Sequence, residues 1–276
     1  QAGTIDGYDF VAPADYETLE SEDAQVLVRD PFNILYLGFN GGNVEGTEAN
    51  PALQDERVRQ AIAHAIDREN IKRVFGGPTT GPIATSIVPP GIDGHLASEE
   101  YNPFETPNMA GDMEQAKQIF SDAIGADTWD EPINRVGASD PPHDKIFETV
   151  RADLENLGFT NIKGKTPKFP NQYTQFYSVP DSETAVGSSA GWCKDYQSAF
   201  TFLDPLFHSD NILPSGNQNY SEFDDPEMDR LIDDAAASPL PRRAAAPDSA
   251  RVARVGHPPA RARQRAPPPD PRPRRC

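Results

Sequence analysis

Six consecutive residues, Gly191-Trp192-Cys193-Lys194-Asp195-Tyr196, set one carboxylate beside two large aromatic side chains. An aspartate in that setting can accept charge-assisted hydrogen bonds from a ligand's ammonium while the rings cover the ligand's apolar part. The same spacing also fits a tryptophan that anchors a core next to a solvated acidic loop. A second group of candidates lies far upstream in Asn33-Ile34-Leu35-Tyr36-Leu37-Gly38-Phe39-Asn40. There Tyr36 is either a ligand wall or a core residue, and Gly38 either admits close backbone approach or eases a bulge.

Other chemistries find little support in the residues. His64, His95, His143, His208 and His257 form no HExxH, no paired Cys ligands exist, and no Gly-x-Ser-x-Gly elbow is present. Gly41-Gly42 lacks the Lys-Ser or Lys-Thr of a phosphate-cradling loop. Asp204 precedes His208 by four residues, a spacing that serves an acid-base pair or an ordinary surface or core histidine. Neither a cofactor nor a metal is called for, and catalysis, with an α/β hydrolase as its form, is the rival to binding.

The elements that must carry these residues read as an α/β layer architecture. Residues 33–40 form an apolar run bounded by Pro31 and Gly41, a buried strand. Val58, Ala61, Ile62, Ala65 and Ile66 recur at helical spacing, so Asp55 to Ile66 is a helix with one face on the core. Asp67 caps a short helix that ends at Gly76-Gly77, and Asp112 to Ile124 is a second amphipathic helix. A strand at Ile133 to Ala138, a helix from Pro142 to Leu157 stopped by Gly158, and a strand at Asn161 to Lys163 alternate in the manner of a helix-covered sheet. Ala185 to Ala190 is then a strand that delivers Trp192 and Asp195 to its C-terminal end, where ligand sites of such sheets gather. Pro89-Pro90-Gly91 marks a rigid loop, Phe200 to Phe207 is rich in aromatics, and Asp225 to Ala237 reads as a last helix.

Charge divides the chain of 276 residues into two unlike parts. From Pro239 to Cys276 there are ten Arg, ten Pro and two Asp, so this stretch carries a net charge of +8. Removing it from the totals of 25 basic and 43 acidic residues leaves 15 basic and 41 acidic, a net charge of −26. Such a body repels nucleic acid, and its scattered acids fit a highly hydrated surface. The Arg/Pro-rich stretch has the composition of a disordered tail, and its abrupt onset fits a shifted reading frame in GC-rich coding sequence. No run of eighteen apolar residues occurs, and two cysteines make no disulfide framework. The chain opens at Gln1 without an initiator Met, so its natural N-terminus is expected upstream.

Several tracts, in order, resemble the solute-binding proteins of bacterial ABC importers for dipeptides and oligopeptides, the extracytoplasmic family 5. They are Leu35-Tyr36-Leu37-Gly38-Phe39-Asn40, Asp55 to Ile62 with Ala65-Ile66-Asp67-Arg68, Pro89-Pro90-Gly91, the Ala116-Lys117 helix, and Tyr220-Ser221 leading to Asp225-Pro226-Glu227-Met228-Asp229. Trp192-Cys193-Lys194-Asp195-Tyr196 resembles the stretch that in oligopeptide binders supplies the aspartate gripping the ligand's α-ammonium. The resemblance implies the second lobe of a class II periplasmic-binding-protein-like fold, with Asp195, Trp192, Tyr196, Tyr36 and Gly38 binding substrate. On that reading residues 1–30 are a remnant of lobe I and the hinge crossing, which begins at Gly3 to Asp9; 31–237 are lobe II, and 238–276 the tail. It further implies a monomer outside the cytoplasm, anchored to the membrane by a missing lipobox segment and delivering a peptide or similar amine-bearing solute to ABC permease subunits. Some relatives pair a Cys at the position of Cys193 with one near Asn33; this sequence has no such partner, so Cys193 is expected free. Because most of lobe I is missing, a truncated lobe without function is the remaining alternative.

Overall fold

The computed structural model describes residues 15–21, 33–40 and 51–238. The chain divides into two units, residues 1–235 and 236–276, and only 236–238 of the second are described. The expectations for the crossing at Gly3 to Asp9, for Gly41-Gly42 and for the Arg/Pro-rich stretch lie outside the described residues.

Among the described residues, four strands form one mixed sheet in the order β1-β4-β2-β3. They are β1 (Asn33–Phe39), β2 (Ile133–Val136), β3 (Ile162–Lys165) and β4 (Val186–Cys193). β2 runs parallel to both β3 and β4, whereas β1 is antiparallel to β4. Parallel neighbours need a crossover, and the helix α5 (His143–Leu157) supplies it between β2 and β3. A short helix α1 (Tyr16–Ser21), which the sequence pattern did not announce, precedes the sheet.

The helices start where side chains satisfy free backbone N–H groups. Asp55 accepts from Arg57 N–H at 2.9 Å to open α2 (Glu56–Ala65), and Asp67 accepts from Asn70 N–H at 2.8 Å to open α3 (Arg68–Phe75). Asp112 does the same for α4 (Met113–Ile124) through Gln115 N–H at 3.0 Å. Their apolar stripes converge with that of α5 on one face of the sheet. Leu53, Val58, Ile62, Phe120, Ile133, Ile146, Val150, Leu154, Phe159 and Val186 form this main core, with Leu35, Leu37 and Phe39 packed against it. Arg135 is buried on the same side, its guanidinium stacked 3.4 Å from the Phe147 ring centroid and donating to the Phe147 carbonyl.

The opposite face carries the predicted site, and a β-bulge decides which residues reach it. Tyr36 pairs with Ala190 and Gly38 with Gly187, so two steps along β1 face three along β4. The extra residue at Ser188-Ser189 shifts the alternation of β4 by one. Gly187, Ala190 and Trp192 therefore join Ile34, Tyr36 and Gly38 on the face away from the main core. Val88, Ile92 and Phe202 cover one end of that face, against Ile34, Trp192 and Tyr36. Tyr177, from a π-helical turn at Tyr173–Tyr177, covers the other against Val136 and Ala190.

β4 also corrects the expected boundary: it runs to Cys193, so Trp192 belongs to the strand and only Asp195 and Tyr196 follow it. The pairing of Asn33 with Cys193 and of Ile34 with Trp192 holds these residues in extended form. Phe200–Phe207 is a helix, α6, despite Pro205 within it, and α7 (Pro226–Ala237) matches the expected last helix.

Candidate functional site

Trp192 and Asp195 meet at one residue of α6. A proline has no backbone N–H, so Pro205 leaves the carbonyl four residues earlier, that of Thr201, without its helical donor. Trp192 Nε1–H fills the place at 2.7 Å. The Thr201 hydroxyl accepts from Asp195 N–H at 3.0 Å and donates to Asp195 Oδ2 at 3.0 Å. Among the described residues no hydrogen bond to Asp195 Oδ1 is present, and Asp195 is exposed.

The turn after β4 is tied down on its far side. Lys194 Nζ donates to Gln197 Oε1 at 2.8 Å, and Gln197 Nε2 donates to the Gly91 carbonyl at 2.5 Å. The Pro89-Pro90-Gly91 loop thus holds the turn that presents Asp195. Tyr196 stands beside it, 53% exposed. Cys193 is an exposed free thiol whose pKa is raised by partial burial and by the neighbouring Asp195.

A tyrosine wall adjoins this edge. Trp192 and Tyr220 have ring centroids 6.5 Å apart, and Tyr220 lies 5.9 Å from Tyr173 and 5.8 Å from Tyr177. Tyr173 and Tyr177 meet edge to face at 5.4 Å. The Tyr177 hydroxyl donates to the Val136 carbonyl at 3.1 Å, and its ring lies on Gly187, where a Cβ would come within 3.1 Å of it. Tyr36 belongs to the same cluster, with a buried hydroxyl that has no hydrogen-bond partner among the described residues. Burial, followed by the neighbouring tyrosines, pushes the Tyr36 phenol far above its ordinary range and that of Tyr173 up to about 12. These phenols stay neutral, so the wall offers ring faces and hydroxyls rather than charge.

Rings continue beyond the wall along the C-terminal ends of the parallel strands. Phe169, after β3, lies 6.2 Å from Tyr173 and stacks on His143 at 5.1 Å with ring planes 3° apart. His143, after β2, meets Phe75 at 6.0 Å. Asp140 Oδ2 fixes this arc by accepting from Phe169 N–H at 2.7 Å. At its far end an open depression of about 430 Å³ is lined by Val74, Ser139, Asp144, Lys145, Phe147, Glu148 and Thr166, and holds none of the predicted site residues.

Of the predicted residues, Trp192, Tyr36 and Gly38 share one face of the sheet, and Asp195 and Tyr196 follow at its edge. Gly38 is buried, yet a Cβ there would meet nothing within 4 Å, so the packing of the described residues does not itself demand glycine. Tyr173, Tyr177, Tyr220 and Thr201 are additions that the sequence reading did not single out. Only the spacing of Tyr173 and Tyr177, one helical turn, carried a signal. Asp204 and His208 are linked through the backbone, His208 N–H to the Asp204 carbonyl at 3.1 Å. The carboxylates near the His208 ring belong to Asp229 and Asp233, at 3.8 and 3.5 Å. Among the described residues no group of three or more His, Cys, Asp or Glu is placed to hold a metal, and no helix is long and apolar enough to cross a membrane.

Comparison with known proteins matches the chain to one family. The profile of bacterial extracellular solute-binding proteins, family 5, middle region, covers residues 1–213. The heme-binding protein A of Haemophilus influenzae is 28% identical over 242 residues, which is 85% of this chain and 40% of that protein. The dipeptide-binding protein of Escherichia coli is 25% identical over 234 residues, 82% of this chain and 39% of that protein. The solved structure of HbpA2 from Haemophilus parasuis overlays with a TM-score of 0.63 at 27% identity, covering 83% of this chain and 41% of that one. The chain therefore spans about two fifths of the length of the curated relatives it matches. With the family profile covering residues 1–213, the chain belongs to the bacterial extracellular solute-binding proteins of family 5.

Proposed function

We propose that this chain forms the second lobe of a solute receptor, capturing peptides or similar amine-bearing solutes for delivery to ABC permease subunits in the membrane. The carrying observation is the Asp195 carboxylate at the aromatic edge of the sheet, with one oxygen held by Thr201 and the other open. An ammonium placed there gains a charge-assisted partner, while Trp192, Tyr196 and the tyrosine wall cover apolar groups. Backbone pairing of an extended ligand with strand or loop groups would supply affinity without side-chain selectivity. The names of the relatives, which include heme and dipeptide binders, agree with a solute-binding role. On this reading residues 1–30 lead in from a first lobe, the protein is a monomer, and it works outside the cytoplasm, tethered by a lipid-modified N-terminal segment. It binds without catalysing.

The test is thermal unfolding of the chain with mixtures of tripeptides, followed by mass analysis of the same peptides. A ligand that binds the folded chain raises the melting temperature with concentration. Stabilisation without cleavage supports the receptor; cleavage, or no stabilisation at about 100-fold excess over a millimolar Kd, refutes it.

A further inference from the structure

We infer that Thr201 is the positioning residue of the ligand edge, a buried side chain that never meets the solute yet sets the direction of both Asp195 and Trp192. This rests on the ligand-binding reading of that edge. Thr201 is 3% exposed and sits second in α6, which Phe202 and Leu206 fasten into the fold at 0% and 4% exposure. Its backbone carbonyl, freed by Pro205, takes the Trp192 indole N–H, and its hydroxyl takes the Asp195 amide and gives its proton to Oδ2. One rigid residue thereby uses its carbonyl for the ring and its single hydroxyl hydrogen for the acid. With Oδ2 occupied, rotation of the carboxylate is restricted, and Oδ1 is the oxygen left for a ligand donor. The hydrogen bond that Asp195 N–H donates to the same hydroxyl closes a small ring that fixes the backbone of Asp195 as well as its side chain.

Two substitutions separate this role from packing. Thr201→Val keeps the branched shape and the carbonyl, so Trp192 stays docked while both bonds to Asp195 are lost. Thr201→Ser keeps the hydroxyl and drops only a methyl group. The measurement is calorimetric affinity of the chain for a tripeptide mixture with free amines and for the same mixture N-acetylated, with tryptophan emission as a check on Trp192. For an exposed acid the wild-type preference for free amines is up to about fivefold. Thr201→Val is expected to weaken free-amine peptides about threefold, leave acetylated ones unchanged and keep the emission maximum; Thr201→Ser restores the preference. Unchanged preference in Thr201→Val, equal losses for both mixtures, or no rescue by Thr201→Ser overturns the assignment while the receptor reading stands. A wild-type chain with no preference for free amines overturns both, and that result is visible before any substitution is made.

Discussion

Replacing Asp195 by Asn removes one negative charge while keeping the side chain's size and an oxygen that can still accept from the Thr201 hydroxyl. The structure sets the magnitude in two regimes. Asp195 is exposed in the described fold, and an ion pair in that setting contributes less than about 1 kcal/mol, a factor of roughly five in Kd. If a first lobe closes over the ligand, as the proposed receptor requires, both charges lose water together, and deleting one strands the other. That costs about 2 to 5 kcal/mol, or roughly 30- to 5000-fold. The expectation for Asp195→Asn is therefore a loss below about fivefold in the 276-residue chain and above about thirtyfold in a two-lobed form of the protein, for free-amine tripeptides only. Calorimetry at low and high salt reads both, and the small effect in the isolated chain should fade as salt rises. Equal losses for acetylated and free-amine peptides, or a two-lobed form indifferent to the substitution, would refute the assignment of Asp195 to the ammonium.

Three further outcomes follow from the same geometry. Asn33 is the register partner of Cys193, and either kind of antiparallel pair puts Cα atoms within disulfide range, so Asn33→Cys should bond to Cys193 under oxidising conditions. Closing a loop of about 160 residues stabilises by up to about 5 kcal/mol, read as a melting temperature that falls on reduction; an unbridged Cys193 in peptide mapping would contradict the register. Gly187→Val should destabilise by about 1 to 3 kcal/mol in urea titration, because the added carbons collide with the Tyr177 ring; a neutral result would mean that the ring does not lie on the strand. The Tyr173 phenol ionises at about 12 in the fold and near 10 when unfolded, so its stabilising contribution is complete below pH 10 and is lost as pH rises to 12. Ultraviolet titration should show phenolate forming late and together with unfolding, and early reversible ionisation of all the tyrosines would count against the buried wall.

Much of the scaffold was legible because its signals are local. Asp67 caps a helix within three residues of itself, Gly158 stops another, and the stripe from Val58 to Ile66 repeats at helical spacing; the same local chemistry puts Asp55 and Asp112 at helix starts, where the structure shows them as caps. The run from Gly191 to Tyr196 is contiguous, so its residue types could be read together from the sequence, and the structure places Trp192 and Asp195 against the same Thr201. The tyrosine wall could not be read so, since Tyr36, Tyr173, Tyr177 and Tyr220 come from a strand, a π-helical turn and a loop that meet only in three dimensions. Thr201 was hidden for a related reason: its importance depends on Pro205, which in sequence reads as an interruption of a helix rather than as the release of a carbonyl.

The bulge at Ser188-Ser189 shows how one unremarked residue governs the site. In a regular strand of period two, Gly187 and Ala190 would point to opposite faces, and with Gly187 facing the tyrosines Trp192 would be turned into the helix-covered core. That core is already filled by Leu35, Leu37 and Val186, and an indole added there would have no room. The extra residue instead keeps Gly187 small beneath Tyr177 and brings Trp192 out on the same side, within reach of the Thr201 carbonyl. The Ser188 hydroxyl is left buried with no partner among the described residues, a destabilising feature that a plain strand would not need. The register of β4, set by a bulge and not by the hydrophobic pattern, is thus what puts Trp192 on the same face as Tyr36 and the tyrosine cluster.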